Sequence, residues 1–383
     1  MPISVLLLIV LLNMTAFRGS KVVITLFAVD LGMPQFYIGA LVAMYSVFPM
    51  FLGLYAGKLT DRLGVRAPMI GGTVGVVAGL LVPFIFPRVP ALYASAMLIG
   101  ATWVFYNVCA QNLIGILSDA ESRARNFSNY GLVMAGGGFF GPLLSGFSID
   151  HFGHAQTYLH LALIPVTSAL VLVAMRSIPP GLGKGKVSEE HAEYSARLLS
   201  NKPLRRTLIT SAIVLTGTDL FQFYMPIYGR AVGLSASAIG MILGSFSVAA
   251  FLVRLVMPRM VTRWGADTVL VWALFIGGAA YVLFPAFEHA ALLAAVALVL
   301  GLGLGCSQPV SLMLIYDRAP QGRSGEALGL RVTINNFMHI TIPLVFGAIG
   351  TIFGSAVPVF LANAAIMTVG GVLSRKAASW PRR

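Results

Sequence analysis

The chain has 383 residues, of which 57% are hydrophobic and only 10% are charged, and its mean hydropathy is +0.86. A soluble domain carries about 25% charged residues, so this composition excludes a soluble protein and indicates one that lies in a lipid bilayer. The net charge of +13 could indicate a nucleic-acid partner. Because the basic residues are concentrated between apolar stretches, membrane topology explains them better, and we expect no nucleic-acid partner.

Twelve apolar stretches follow one another along the chain, each near or above the roughly 20 residues that a helix needs to cross a membrane. They cover residues 3–29, 36–57, 68–86, 90–117, 128–149, 155–175, 207–228, 237–258, 268–287, 290–316, 326–349 and 355–374. The alternation typical of membrane β-strands is absent from the sequence. The first stretch is too long for a cleavable signal peptide and lacks a basic start. The sequence therefore predicts an all-α polytopic membrane protein with 12 transmembrane helices.

The distribution of basic residues predicts the orientation of these spans. With twelve spans, both termini lie on the same side of the membrane. Twenty Lys and Arg side chains fall on that side, and only two, Arg88 and Arg230, fall in the gaps on the opposite side. Cytoplasmic segments carry such a basic excess. We therefore expect a multi-pass membrane protein with both termini in the cytoplasm.

The longest hydrophilic stretch, residues 176–206, follows the sixth span. It predicts a cytoplasmic linker between an N-terminal half (1–175) and a C-terminal half (207–383), each with six helices. The "GLGKGK" inside it lacks the spacing of a phosphate-binding loop, and the sequence holds no other nucleotide-binding signature. This argues against an ATP-driven pump.

Neither a cofactor nor a metal is expected. The two cysteines, Cys109 and Cys306, lie in separate apolar stretches without the spacing of a metal site. Their position is typical of small buried hydrophobic residues.

The two halves resemble each other at a nearly constant spacing of about 201 positions, here named the repeat offset. Gly32 corresponds to Gly233 at this offset, and the "RLG" of residues 62–64 corresponds to the "RWG" of residues 263–265. Two parallel six-helix halves related by an axis along the membrane normal are the architecture of major facilitator transporters.

The stretch "GKLTDRLGVR", residues 57–66, resembles the signature Gly-x-Leu-Ala-Asp-Arg-x-Gly-Arg-Lys that major facilitator proteins carry between spans two and three. The matching residues are Gly57, Leu59, Asp61, Arg62 and Gly64, and the departures are Thr60, Val65 and Arg66. The resemblance implies a gating motif, in which Gly57 allows close helix approach and Asp61 latches the two halves on the cytoplasmic face. The alternative is a basic loop that serves topology only.

A second stretch, "GGGFFGPLLSG" at residues 136–146, resembles the Gly-Pro motif of antiporters in the same superfamily. The matching residues are Gly137, Gly141, Pro142 and Gly146, with Ser145 in place of a glycine. The resemblance implies export. The alternative is close packing of small residues that has no bearing on the direction of transport.

Ionisable residues within spans cost about 2.5–3.5 kcal/mol at mid-bilayer, so they indicate function. The candidates are Arg18, Lys21, Asp219, Glu326, Arg331 and His339. Arg18 and Asp219 are separated by the repeat offset, and in the family the helices that carry them line the central cavity. We expect the two to face each other or the same water-filled cavity, with Asp219 coupling protons to transport. The alternative is a permanent structural ion pair.

Polar residues at helical spacing extend this candidate site. Arg331, Asn335 and His339 follow at i, i+4 and i+8, and His339 could also carry protons. The predicted substrate-cavity residues are Arg18, Lys21, Asn107, Gln111, Gln222, Arg331 and Asn335. The alternative for these side chains is hydrogen bonding between helices. Glu326 is expected to begin its helix.

The sequence thus predicts a monomeric secondary transporter that moves a small organic solute by alternating access, with protons and membrane lipid as its other partners. Proton-coupled export is the first hypothesis. The second is a proton-coupled symporter that imports an organic anion bound by Arg18, Lys21 and Arg331. An enzyme is not expected, because the sequence lacks paired metal ligands and nucleophile–base spacing. A receptor or scaffold is not expected either, since the gating and antiporter-like motifs are present and no signalling domain is evident.

Overall fold

A computed structural model describes residues 2–118, 122–174, 200–320 and 324–378. Most of the predicted linker, residues 175–199, lies outside this described part. The helices of the first half are α1 (Ile3–Asp30), α2 (Gln35–Leu63), α3 (Arg66–Ile85), α4 (Val89–Ile116) and a helical run over Arg123–Ala174. Those of the second half are α7 (Lys202–Ala231), α8 (Ala236–Trp264), α9 (Ala266–Leu283), α10 (Ala290–Leu304), α11 (Ser307–Arg318), α12 (Ser324–Phe353) and α13 (Val357–Ala378).

The run Arg123–Ala174 contains two helices. Its 52 residues would extend about 78 Å as one helix, far more than the roughly 30 Å of a bilayer's hydrocarbon core. Gly153 breaks the run with a φ of 79° and a ψ of 174°, a conformation that glycine adopts without strain. We therefore name residues 123–152 α5 and residues 154–174 α6.

The described helices give twelve membrane spans. Eleven stretches are long and apolar enough to cross a membrane, and one of them, Asn129–Ala174, contains both α5 and α6. Another, Ala290–Arg318, joins α10 and α11 into a single span. The predicted fold class, an all-α polytopic protein with twelve spans in two halves, is confirmed.

Local sequence explains where several helices begin and end. The side chain of Asn201 accepts a hydrogen bond from the backbone N–H of Leu204 (3.2 Å) and thereby caps α7. Ser235 caps α8 in the same way. Gly64 and Gly265 end α2 and α8, each with a φ of 80°. Equivalent helices of the two halves therefore end in the same backbone conformation.

The backbone repeats at the offset that the sequence predicts. All six positive-φ residues of the described chain are glycines, and they form three pairs, each separated by the repeat offset. The pairs are Gly32 and Gly233, Gly64 and Gly265, and Gly153 and Gly354. Since successive spans run in opposite directions, the first and third pairs lie at one end of the bundle, here named the Gly32 end. The second pair lies at the other, named the Gly64 end.

Small residues bring the first helix of the chain close to its neighbours. A Cβ placed on Gly19 would lie 2.7 Å from Oγ of Ser145 and 2.9 Å from the side chain of Leu161. α1 therefore packs tightly against both α5 and α6, and it also contacts α7 of the second half. This packing places α1 and α7 side by side at the junction between the halves.

Candidate substrate cavity and the contacts between the halves

A cavity of about 50 Å³ lies between the two halves, lined by residues of α1, α2, α5, α7, α8 and α12. Its charged and strongly polar lining residues are Arg18, Lys21, Asp219, Gln222 and His339. One water needs about 10–15 Å³ measured in this way, so the cavity has room for a few waters. Pockets for drug-sized ligands reach about 300–1,000 Å³, so such a solute requires the halves to move apart.

Arg18 joins the two halves at this cavity. Its Nη1 donates a hydrogen bond to Oε1 of Gln222, which connects α1 to α7. The close approach of α1 to α5 positions Arg18, because the Cβ of Arg18 would lie only 2.9 Å from a Cβ placed on Gly141. Gly141 of the antiporter-like motif thus supports the placement of a cavity cation.

Asp219 is hydrogen-bonded to His339 within the second half. Nδ1 of His339 pairs with Oδ2 of Asp219, which connects α7 to α12. The Asp219 and His339 side chains are 17% and 33% exposed, so both reach the cavity. A carboxylate and an imidazole in contact can hold or exchange one proton.

Arg18 and Asp219 line the same cavity, but each has a different hydrogen-bond partner. In the described part of the chain, the Asp219 carboxylate contacts the His339 imidazole, while Arg18 bonds to the neutral Gln222. The repeat led us to expect either a direct Arg18–Asp219 pair or a cavity that both residues line, and the structure has the second arrangement. The two charges still attract each other across the cavity, since its surroundings are largely apolar.

Two aromatic rings hold the Lys21 ammonium. Its Nζ lies 5.1 Å from the ring centroid of Phe17 and 5.5 Å from that of Tyr45. Both rings are buried, and Phe17 stacks on Trp103 with a centroid distance of 4.2 Å. Cation–π attraction thus keeps a second positive charge at the cavity wall.

The other predicted cavity residues lie outside this lining. Asn107 accepts a hydrogen bond from the Tyr130 hydroxyl (2.9 Å), and Nη2 of Arg331 donates to Oε1 of Gln308 (2.5 Å). Gln111 is exposed on α4, and Asn335 is half-buried on α12. Asn335 Oδ1 and Arg331 Nε are buried without a hydrogen-bond partner in the described residues, so each atom can still form a polar contact.

The hydrogen bonds seen for side chains of the gating motif, in the described part of the structure, go to residues of its own half. Thr60 bonds to Ala56 and Cys109, and Nη2 of Arg66 donates to the Val173 carbonyl (3.1 Å). A Cβ placed on Gly57 would have nothing within 4 Å, so this glycine makes no close helix approach here.

The other residues of the motif lie near the end of α2. Gly64 makes the turn after this helix, and the Arg62 side chain is exposed. The side chains of Asp61 and Glu326 lie outside the described part of the structure.

The two halves cap each other's helices at the Gly32 end. The Asp150 carboxylate of α5 accepts hydrogen bonds from the backbone N–H groups of Ala236 (3.0 Å) and Ser237 (2.8 Å), which begin α8. At the equivalent place, Oγ1 of Thr351 in α12 accepts from the backbone N–H of Phe36 in α2 (2.9 Å). Thr351 follows Asp150 by the repeat offset, and Ser237 follows Phe36 by the same offset. Each half therefore caps a helix of the other.

Glycines let the same helix pairs touch backbone to backbone. A Cβ on Gly240 of α8 would lie 2.5 Å from the Pro142 carbonyl oxygen, and a Cβ on Gly39 of α2 would overlap the Pro343 carbonyl. Gly146 likewise lies against the backbone of Ala236. The antiporter-like motif thus faces two ways: Gly137 and Gly141 lie against α1, whereas Pro142 and Gly146 lie against α8 of the other half.

Charged and polar side chains add to this closure. Asp30 pairs with Arg230 across the halves (2.9 Å) and with Nε2 of His154 within its own half (2.7 Å). The Tyr224 hydroxyl donates to Oε1 of Gln35, again across the halves. The structure is therefore a conformation in which the Gly32 end is closed.

Sequence reasoning did not single out Arg254, Asp150 or Asp30. Arg254 donates from Nε to the Gly305 carbonyl (2.9 Å) and from Nη1 to the Gly131 carbonyl of the first half (3.3 Å). A charge inside the apolar stretch 237–258 was a signal that could have found it. Asp150 and Asp30 lie at helix ends, where an acidic residue is ordinary, so the sequence carried no comparable signal for them.

Two six-span repeats that enclose a charged cavity at their junction define the class of secondary transporters. The chain matches the family described as the Major Facilitator Superfamily over residues 6–235 and again over residues 207–377. It belongs to this superfamily and is one of its transporters.

Its relatives include drug-efflux proteins. It is 23% identical over 324 residues to the class B tetracycline resistance protein of Escherichia coli, covering 82% of this chain and 79% of that protein. It is 22% identical over 371 residues to the multidrug efflux pump LfrA of Mycolicibacterium smegmatis, covering 82% and 73%. The chain thus resembles drug-resistance and drug-efflux proteins of the superfamily.

Solved structures share the fold. The peptide transporter POT superposes with a TM-score of 0.82 at 15% identity, covering 98% of this chain and 94% of that one. The nucleoside transporter NupG gives 0.81 at 13% identity, covering 98% and 99%. At these identities the likeness concerns the fold alone.

Proposed function

We propose that this transporter exports a small organic solute across the bacterial inner membrane in exchange for protons. The observation that carries the proposal is the Asp219–His339 pair, which lies in the cavity between the halves beside the Arg18–Gln222 contact. The similarity to efflux proteins supports the outward direction.

The coupling follows from competition within one small cavity. A proton on the Asp219–His339 pair changes the charge that faces Arg18 and Lys21, and a solute that enters must occupy the same space. Because the cavity cannot hold both, a solute that enters displaces the proton from the pair, and a proton that returns to the pair displaces the solute. Alternating exposure of such a site to the two sides of the membrane exchanges one for the other.

The orientation is part of the proposal. The basic excess on the side of the Gly64 end supports a cytoplasmic location for that end and for both termini. The protein would then be a monomer with halves 1–175 and 207–383 joined by a cytoplasmic linker, 176–206. With the Gly32 end closed, solute reaches the cavity from the cytoplasm. Asp61 and Arg62 would latch the Gly64 end in the opposite conformation.

Import by symport is a second candidate. The observation that favours it is the excess of fixed cations over carboxylates in the lining, with Arg18 and Lys21 against Asp219. Arg331, also proposed to bind the anion, lies outside that lining. Such a cavity suits an organic anion, and also a zwitterion or a neutral polar solute.

The test uses inside-out vesicles with an acidic interior and a pH-quenched dye, challenged with a panel of organic anions, cations and neutral metabolites. Export coupled to protons predicts that a transported compound relieves the quenching, and that Asp219→Asn abolishes this response. Asp317→Asn is the matched control, because Asp317 is an exposed carboxylate at the Gly64 end. A full response in Asp219→Asn would refute the coupling site. Uptake of an organic anion by right-side-out vesicles, driven by external acid, would replace export with symport.

A further inference from the structure

A second, larger concave site lies in the second half, between α7, α12 and α13. This crevice has a volume of about 380 Å³ and an apolar lining. Representative residues are Leu208 and Ala212 of α7, Met338 and Ile342 of α12, and Ala362 and Ile366 of α13. Ile209, Val345 and Ile366, which also line it, are 53%, 47% and 41% exposed, so the crevice opens towards the surrounding lipid.

The length of the crevice fits a lipid chain. On α12 its lining extends from Ile334 to Ile349, which corresponds to about 22 Å of helix. The hydrocarbon of one leaflet is about 15 Å deep, half of the roughly 30 Å core. An extended acyl chain can therefore lie along the crevice over the full depth of a leaflet.

The Gly64 end of the crevice is strongly basic. Arg205 is part of the lining, and Lys202 and Arg206 are exposed beside it in the first turns of α7. α13 contributes the exposed Arg375, placed near α7 by the hydrogen bond between Oγ of its neighbour Ser374 and Oγ1 of Thr210 (2.9 Å).

Basic residues outnumber acidic ones on these helices. The sequence of α13 contains no acidic residue, and Asp219 of α7 lies in the central cavity. At the Gly64 end α12 carries one carboxylate, Glu326, against the four cations of α7 and α13. A phosphate at this level would meet basic side chains from two helices and the positive end of the α7 dipole.

We propose that this crevice binds an anionic phospholipid. One acyl chain lies between α7, α12 and α13, and the phosphate is held by Lys202, Arg205, Arg206 and Arg375. The site also adjoins the proposed proton-coupling pair, since Thr216 in its lining lies one helical turn before Asp219 and Met338 is next to His339. A bound lipid would therefore support the packing of the two helices that carry that pair.

The test measures lipid binding to the full-length protein purified in detergent. Native mass spectrometry quantifies bound palmitoyl-oleoyl phosphatidylglycerol against the zwitterionic phosphatidylcholine with the same chains, with inorganic phosphate as a headgroup-only competitor. We expect the wild-type protein to prefer the anionic lipid at least tenfold. Removing two cations with Arg205→Gln and Arg375→Gln should weaken its binding roughly 10- to 30-fold.

The matched control is Arg259→Gln with Arg263→Gln, which removes two exposed charges of α8 at the same end. It should leave binding unchanged. Ala212→Trp fills the crevice and should abolish binding of both lipids. If that variant does not fold, Ala362→Leu narrows the same space and should weaken both.

Three results would overturn the proposal: equal binding of the two lipids, full binding in the Arg205→Gln/Arg375→Gln variant, or full binding in the crevice-filled variant. Displacement of the lipid by millimolar phosphate alone would also overturn it, because the chain would then contribute nothing. Binding is measured without transport, so this proposal and the proposed function can fail separately.

Discussion

The α5–α8 and α2–α12 contacts occupy equivalent places in the two repeats, but they are held together differently. In both, a glycine of one half touches the backbone carbonyl of a proline of the other. The α5–α8 contact adds the Asp150 carboxylate, which accepts two backbone N–H groups, whereas the α2–α12 contact has the neutral Thr351 hydroxyl, which accepts one. Charge-assisted hydrogen bonds are about twice as strong as neutral ones. The two contacts thus share the same backbone packing, but the α5–α8 contact should hold the Gly32 end closed more strongly than the α2–α12 contact.

The largest effect should come from the shared backbone contacts. Gly240→Ala and Gly39→Ala each add a Cβ against a carbonyl oxygen, and such overpacking costs about 1–3 kcal/mol. We expect the ratio of closed to open molecules at the Gly32 end to fall roughly 5- to 150-fold in each variant. Spin labels at Phe152→Cys and Phe353→Cys report the separation, because both positions are 63% exposed, lie at the Gly32 end and correspond to each other in the repeat.

Gly71→Ala is the control for these variants, since a Cβ there would meet nothing within 4 Å. The native cysteines are buried and should not take up label. Unchanged label distances in Gly240→Ala would contradict the view that close backbone contact holds this end shut.

Removing the caps should show how the α5–α8 contact differs from the α2–α12 contact. Asp150→Ala removes a charged cap from the α8 N-terminus, for which about 1–2 kcal/mol is expected, while Thr351→Ala should cost about 0.5–1 kcal/mol. Asp150→Asn keeps a hydrogen-bond acceptor without the charge, and its cost should lie between those of the other two variants. The label distances and the thermal midpoint measure all three. Equal losses in Asp150→Ala and Thr351→Ala would show that the charge has no part in the closure.

The weaker side can also be strengthened. Thr351→Asp places a carboxylate near the N-terminus of α2, as Asp150 does at α8, and we expect closure to gain about 0.3–1 kcal/mol. The same two labels should then report a larger closed population, and exchange should slow because opening becomes harder. A smaller closed population would mean that the α2–α12 contact has no room for a charged cap.

The smallest effect should come from the ion pair between Asp30 and Arg230. Its side chains are 35% and 24% exposed, and partly exposed pairs contribute about 0.2–1 kcal/mol. Arg230→Gln should therefore open the Gly32 end slightly at low salt. The difference from wild type should shrink as ionic strength rises, because salt screens the pair. A defect independent of salt would assign Arg230 another role, such as its hydrogen bond to the Leu234 carbonyl.

Several elements of the fold were predictable from the sequence because each depends on local chemistry. Apolar stretches of membrane-spanning length predicted the twelve spans, and matches such as Gly32 with Gly233 predicted two similar halves. The shared location of Arg18 and Asp219 followed from their offset within that repeat. The hydrogen-bond partners of these two residues, Gln222 and His339, could not be predicted. They depend on how each helix is rotated against its neighbours, and the sequence of one helix does not determine that rotation.

The packing of the antiporter-like motif was likewise only partly predictable from the sequence. Its sequence predicts close packing, because glycine and proline at this spacing leave a helix face without side chains. Only the assembled bundle shows that one part of the face meets α1 and another part meets α8 of the other half.

The sequence by itself determined that this protein lies in a membrane, has twelve spans and consists of two repeats, because hydropathy and helix length act on each segment separately. The tertiary structure alone decided which carboxylate caps which helix, which charge pairs with which partner, and where a lipid-facing crevice meets a basic end. The caps and the Arg18–Gln222 contact depend on how the two halves dock, so docking at the Gly64 end would give these side chains different neighbours. The Asp219–His339 pair and the crevice depend on how α7, α12 and α13 pack within the second half.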